Sequence, residues 1–225
     1  MKKLVIFDID GTLTNTNETD HKAFEKAYME LYDLDVSGLD WEEVEDYTDT
    51  GIAKHVFEVV IGRTCGPVDL RKIKKKVYDN LLELYNESES NFAEVKGATD
   101  FIEFLKSRDE ICLAIATGCW EHTANFKLNV SGIDYEELPI ANSDNDVSRV
   151  GITKHVIELA KQQYDCSKFD DIIYIGDGAW DVKMAQSLGI RLIGVDVNAN
   201  GRLKELGVQN IIKDFSNKEA VFNLI

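Results

Sequence analysis

Two hydrophobic rhythms divide the chain. Leu4-Val5-Ile6-Phe7, Ile111 to Ala116 and Ile172 to Ile175 are unbroken apolar runs, and Arg191 to Val195 reads the same way behind its arginine. Runs of this length without alternation predict parallel strands buried on both faces. Leu138 to Ala141 predicts a weak short strand, and Ile211-Ile212 a possible edge strand. Between them, apolar residues recur at helical spacing: Phe101, Ile102, Phe104 and Leu105; the segment Trp120 to Val130; Ile152, Val156, Leu159 and Ala160; Val182, Ala185 and Leu188; Leu203 and Leu206. Strand and helix alternation implies right-handed crossovers and a doubly wound parallel α/β sheet.

From Asn15 to Glu94 the rhythm is helical only. Phe24, Ala27, Tyr28 and Leu31 form one stripe, Ile52, Val56, Val59 and Val60 a second, and Leu70, Ile73, Val77, Leu81 and Leu84 a third. Gly38 and the Gly62 to Pro67 stretch supply the breaks. Connections after a strand normally run about 2–6 residues, so a long helical segment here predicts an inserted all-α cap. The expected division is 1–14 and 95–225 for an α/β core, with 15–94 as the cap. Trp41 is expected in the cap core. At Tyr47-Thr48-Asp49-Thr50-Gly51, Asp49 or Thr50 is expected to cap the helix of Ile52 and Val56. Thr50 at that helix start, with Lys54 and His55 following, also reads as facing a substrate.

The 225 residues carry 44% apolar and 29% charged side chains, enough for one sizeable core with a small second unit. The formal net charge of -16 argues against nucleic acid or an anionic membrane as partner. No stretch approaches a transmembrane span, and the apolar run after Lys2 and Lys3 is too short for a signal peptide, so a cytoplasmic location is expected. Cys65, Cys112, Cys119 and Cys166 lack C-x-x-C spacing, and Cys112 reads as core. His21, His55, His122 and His155 are scattered without metal-ligand spacing and are expected at the surface. Trp180 is expected to pack against neighbouring loops.

The candidate chemistry lies just beyond the strands, where open α/β sheets bind ligands. The first strand ends in Asp8-Ile9-Asp10-Gly11-Thr12, the second in Thr117-Gly118, and the strand ending at Ile175 in Gly176-Asp177-Gly178-Ala179-Trp180-Asp181. Carboxylates this close repel, and a cation that binds them relieves the strain. The order acid pair, hydroxyl, acid pair resembles motifs one, two and four of the haloacid dehalogenase superfamily. The helical insert after the first strand resembles the cap of phosphoglycolate-phosphatase-like members in position and character.

That resemblance implies a Rossmann-like core and magnesium-dependent hydrolysis of a small phosphorylated metabolite. Asp8 is the implied nucleophile, passing through an aspartyl phosphate, and Asp10 the acid and base at the leaving oxygen. Mg2+ is implied on Asp8, Asp177 and the backbone carbonyl of Asp10, with Asp181 behind them. Thr117 and Gly118 are implied at the phosphoryl oxygens. Members similar to dehalogenases do not carry an aspartate at the second position, so Asp10 favours phosphate-ester chemistry. The third motif, a Lys or Arg near the helix after the weak strand, has two candidates, Arg149 and Lys154. At about 100° per residue Lys154 lies roughly 200° from Ile152, away from the core face, whereas Arg149 is on the Ile152 side in the preceding loop. A planar guanidinium also suits bidentate contact with phosphate. The stretch Ser143 to Arg149 resembles a loop of the phosphoglycolate-phosphatase-like members. A phosphomutase would use the same residues, and a receiver-like phospho-accepting domain is the non-enzymatic alternative.

Overall fold

The computed structural model describes residues 2–39 and 44–225; Trp41 lies outside the described residues. Six parallel strands, β1 (Lys3–Phe7), β2 (Ile111–Ala116), β3 (Ile140–Ala141), β4 (Asp171–Gly176), β5 (Arg191–Val195) and β6 (Asn210–Ile212), form one sheet in the order β3-β2-β1-β4-β5-β6. Strand order reverses at β1, which places the topological switch point between β1 and β4. Register sets Phe7 opposite both Ile115 and Ile175. Asp8, Thr117 and Asp177 therefore follow within two positions of the last paired rung, at one end of three adjacent strands.

Alternation along the central strands divides the core. Val5, Phe7, Leu113, Ile115, Ile173 and Ile175 face one side and pack with Phe101 and Leu105 of α4 (Ala98–Lys106) and with Phe215. Leu4, Ile6, Cys112, Ala114 and Tyr174 face the other side. There they meet Ile152, Val156 and Ala160 of α6 (Arg149–Gln163) and Met184 and Ala185 of α7 (Ala179–Leu188). Cys112 is buried there, and all four cysteines are free. A short α8 (Arg202–Glu205) holds Leu203 inside but leaves Leu206 exposed, and α9 (Lys218–Phe222) near the chain's end was not evident in the pattern.

The helical segment after β1 has its own core. It contains α1 (Asn17–Tyr32), α2 (Asp49–Val56) and α3 (Pro67–Glu87), and its buried residues Phe24, Tyr28, Ile52, Val56, Ile73, Val77 and Leu81 pack together with Trp120. Phe24 stacks on Trp120, with centroids 5.4 Å apart, so the first residue before α5 (Glu121–Val130) is shared by both units. The two connections run side by side: Thr14 and Glu94 form an antiparallel bridge, and Val95 N donates to Leu13 O at 2.9 Å.

Two local expectations change. The N-cap of α2 is Thr48, whose Oγ1 accepts from Gly51 N at 3.1 Å, whereas Asp49 and Thr50 are already helical. Val59 and Val60 are exposed although the stripe put them inside. Phe57–Ile61 is π-helical, and the wider turn rotates the two valines off the buried face after Val56. Among the described residues, no helix is long and apolar enough to cross a membrane.

Candidate active site

A cavity of about 380 Å³ opens between the sheet end and the helical insert. Asp8, Asp10, Gly118, Cys119, Arg149 and Trp180 line it from below, and Asn17, Glu18, Asp20, His21, Phe24, Tyr47, Thr48, Asp49 and Ile52 from above.

Asp8, just beyond β1, is buried. Its Oδ1 accepts from Ile9 N at 2.8 Å, and its Oδ2 accepts from Arg149 Nη1 at 2.9 Å. Arg149 is the first residue of α6 rather than part of the loop before it, because Ser148 caps that helix through Gly151 N at 3.0 Å. From there the guanidinium also lies 3.6 Å from Asp181 Oδ1 and donates through Nε to Tyr47 O at 3.0 Å. Burial alone would lower the Arg149 pKa, but the charges of Asp8 and Asp181 outweigh it and hold the group firmly protonated. Gly118 permits this approach, since a Cβ there would stand 2.7 Å from Nη2. Lys154 is exposed and does not line the cavity.

Asp177 and Asp181 complete the floor. Asp181 sits in the first turn of α7, where its Oδ2 accepts from Gly178 N at 3.0 Å, and Asp177 Oδ2 accepts from Asn17 Nδ2 at 2.9 Å. Oxygens of Asp8, Asp177 and Asp181 all lie within 4.8 Å of one another. Oδ1 of Asp177 and Oδ1 of Asp181 are buried without a hydrogen-bond partner. Burial, then the charges of Asp181 and Asp8, push the Asp177 carboxyl well above its ordinary value; burial and Asp8 push Asp181 up to about 7. Three crowded carboxylates with two orphaned oxygens suit a hard, oxygen-liganded divalent cation. Asp181 contributes an oxygen to this group together with Asp177 and Asp8. Gly11, at φ +72°, lies under the same carboxylates, where a side chain would collide with Asp177.

Asp10 turns its side chain elsewhere. Its Oδ1 accepts from Thr16 Oγ1 at 2.5 Å, its Oδ2 accepts from Cys119 Sγ at 2.8 Å, and Lys127 Nζ reaches both oxygens at 2.8 and 2.9 Å. Burial raises the Asp10 carboxyl, but the Lys127 charge and these hydrogen bonds prevail and hold its pKa below the ordinary value. Lys127 is wholly buried in α5 and also pairs with Asp20 of α1. The ammonium thus occupies the space among Asp10, Asp20 and Cys119, a trio close enough to be a second metal-type cluster. Lys127, Asp20 and Asn17 belong to no motif in the sequence, and the spacing of Cys119 gives it no site role there. Lys127 did leave one signal: with Thr123, Ala124 and Leu128 it shares the buried face of α5.

Thr117 is buried, and its Oγ1 accepts from Cys119 N at 3.2 Å. Thr50 does not line the cavity. Its hydroxyl donates to Ser143 O at 3.1 Å and accepts from Trp120 Nε1 at 2.8 Å, which fastens α2 to the core. Its neighbours Thr48 and Asp49 face the cavity instead, with Asp49 N donating to Gly118 O and Trp120 N donating to Asp49 Oδ2, both at 2.8 Å. Lys54 and His55 likewise stay outside the lining, whereas His21, expected at the surface, belongs to it. Trp180 stacks on Tyr47 with ring centroids 3.9 Å apart and also lines the cavity.

A curated relative, the phosphoserine phosphatase of Methanocaldococcus jannaschii, is 25% identical over 201 residues, covering 85% of this chain and 84% of that protein. A hydrolase from Pseudomonas syringae superposes with a TM-score of 0.65 at 19% identity, over 100% of this chain and 99% of its own. CbbY from Rhodobacter sphaeroides, solved with phosphate, superposes with a TM-score of 0.64 at 21% identity over 96% of each chain. These likenesses extend through both the sheet and the helical insert. The model of the haloacid dehalogenase-like hydrolases matches residues 2–189, a span that contains every side chain lining the cavity, and the chain belongs to that family.

Proposed function

We propose that the protein is a magnesium-dependent phosphatase that hydrolyses a small phosphomonoester through an aspartyl phosphate on Asp8. The observation that carries this reading is the setting of Asp8. One oxygen meets the Arg149 guanidinium, the Asp177 and Asp181 carboxylates stand beside it, and the group faces a cavity of substrate size. Phosphoryl transfer asks chiefly for such positioning and for cations around the equatorial oxygens.

In the first half-reaction Asp8 forms a bond to phosphorus as the ester P–O bond breaks, and the leaving oxygen takes a proton from Asp10. Asp10 gains that proton with the bound ester. In the second half-reaction water attacks phosphorus, Asp10 accepts its proton, and the bond to Asp8 breaks. Arg149 holds an equatorial oxygen throughout, with Gly118 and Cys119 of the neighbouring turn lining the cavity beside it. Asp8, Asp177 and Asp181 would hold magnesium. Bound there, it neutralises charge that builds on the phosphoryl oxygens. Residues 15–94 act as the lid that keeps bulk water out.

The walls beyond the phosphoryl position refine the substrate class. They present Glu18, Asp20 and Asp49 beside Phe24, Ile52, Tyr47 and Trp180. Glu18 is the carboxylate there that would meet an anionic leaving group such as glycolate, since Asp20 pairs with Lys127 and burial pushes Asp49 toward its neutral form. The lining favours an uncharged or amino-bearing leaving group. A panel of polyol, amino-alcohol and carboxylate phosphates assayed with magnesium tests this reading. Release of inorganic phosphate from the first two classes is the expected result. Transfer to a second hydroxyl without phosphate release would make the protein a mutase instead.

A further inference from the structure

Among the described residues, Lys127 is the one wholly buried cation that the proposed chemistry does not use directly, since it does not line the cavity. Taking an ammonium out of water is costly unless it is paired and hydrogen-bonded, and here it is surrounded. It reaches both oxygens of Asp10, pairs with Asp20, and lies 3.3 Å from Cys119 Sγ. Asp10 belongs to the loop after β1, Asp20 to α1 of the insert, and Lys127 to α5 of the core. One ammonium therefore joins three segments at the rim of the cavity.

The four contacts of the Asp10 carboxylate are unequal. Lys127 supplies two and Thr16 one, all from strong donors. The fourth comes from the Cys119 thiol, a weak donor, and Cys119 lines the cavity. A leaving-group oxygen entering from the cavity displaces the weak contact at Oδ2 and leaves the strong ones in place.

We propose that Lys127 is a positioning residue for leaving-group departure: it fixes the Asp10 carboxylate at the cavity edge and ties that position, through Asp20, to the first helix of the insert. This rests on the phosphatase reading above. An ester with a poor leaving group needs the proton from a correctly placed Asp10, whereas a good leaving group departs without it.

The test is kcat/KM for an alkyl phosphate and for 4-nitrophenyl phosphate in the full-length Lys127→Met variant, because this constant reports the first half-reaction alone. A general acid contributes about a hundredfold to ten-thousandfold. The alkyl phosphate should therefore lose about a hundredfold or more, and 4-nitrophenyl phosphate less than about tenfold. The Lys127→Met/Asp20→Asn double variant, which removes one buried negative charge along with the positive one, should show the same split and carries the test if the single variant does not fold. Equal losses on both esters, or no loss on either, overturn the proposal. So does the failure of both variants to fold, which would assign Lys127 to stability alone. Wild-type protein that hydrolyses neither ester would instead refute the phosphatase reading.

Discussion

Arg149 donates to Asp8 across 141 positions of sequence, at 2.9 Å, at the floor of the cavity, with Asp8 buried and Arg149 largely so. The same guanidinium donates to the carbonyl of Tyr47 in the insert, so it ties the sheet end to the helical segment above it. Losing a preorganised donor of this kind costs roughly a hundredfold to a thousandfold in rate. Arg149→Ala should lower kcat by that order, whereas Lys154→Ala, on the exposed side of α6, should change it little. Steady-state kinetics of both variants on one ester check this, and a severe loss at Lys154 with Arg149→Ala near normal would reverse the assignment.

Asp177 and Asp181 each carry one orphaned buried oxygen, and a divalent cation is expected to satisfy both. Magnesium should raise the melting temperature of the wild type, because a ligand that binds only the folded state stabilises it. The shift should be largely lost in Asp177→Ala and reduced in Asp181→Ala, and chelator-treated enzyme should be inactive until magnesium is returned. Thermal melts with and without the ion make the measurement independent of activity. An undiminished shift in Asp177→Ala would remove that residue from the ligand set.

Asp49 is 4% exposed, and burial together with the charge of Asp20 pushes its carboxyl well above the ordinary value of 3.8. The folded state therefore binds this proton more tightly than the unfolded chain. The stability that follows is fully present below the unfolded value and is lost as pH rises toward the folded one. Asp49→Asn keeps an oxygen for Trp120 N and has no proton to lose. Its melting temperature should match the wild type near pH 4 and exceed it increasingly toward pH 8. A difference that stays constant over that range would contradict the assignment.

The sheet was legible because its central strands are apolar on both faces, so that strands such as Ile111–Ala116 and Arg191–Val195 stand out without a partner. The acidic strand ends were legible because short turns tie Asp8 and Asp177 to those runs. Helical phase separated Arg149 from Lys154, since Ile152 and Val156 mark the buried face of α6. What escaped depends on tertiary neighbours. Lys127 shares the buried face of its helix, but its role emerges only when Asp10, 117 positions away, and Asp20 are brought around it. Thr50 reads as a ligand contact until Ser143 and Trp120 consume its hydroxyl. The Val59 and Val60 error has a local cause, because a pattern counted at 3.6 residues per turn slips where the helix widens.

The central claim is that Asp8 becomes phosphorylated during turnover. Acid quenching of the wild type during hydrolysis of an accepted phosphate ester with magnesium, followed by peptide mass spectrometry, reads this directly. The peptide containing Asp8 should gain the mass of one phosphoryl group on that residue, and the folded Asp8→Asn protein should show neither the modification nor turnover. Normal steady-state turnover by Asp8→Asn, or the phosphoryl group trapped on another residue, would contradict the account.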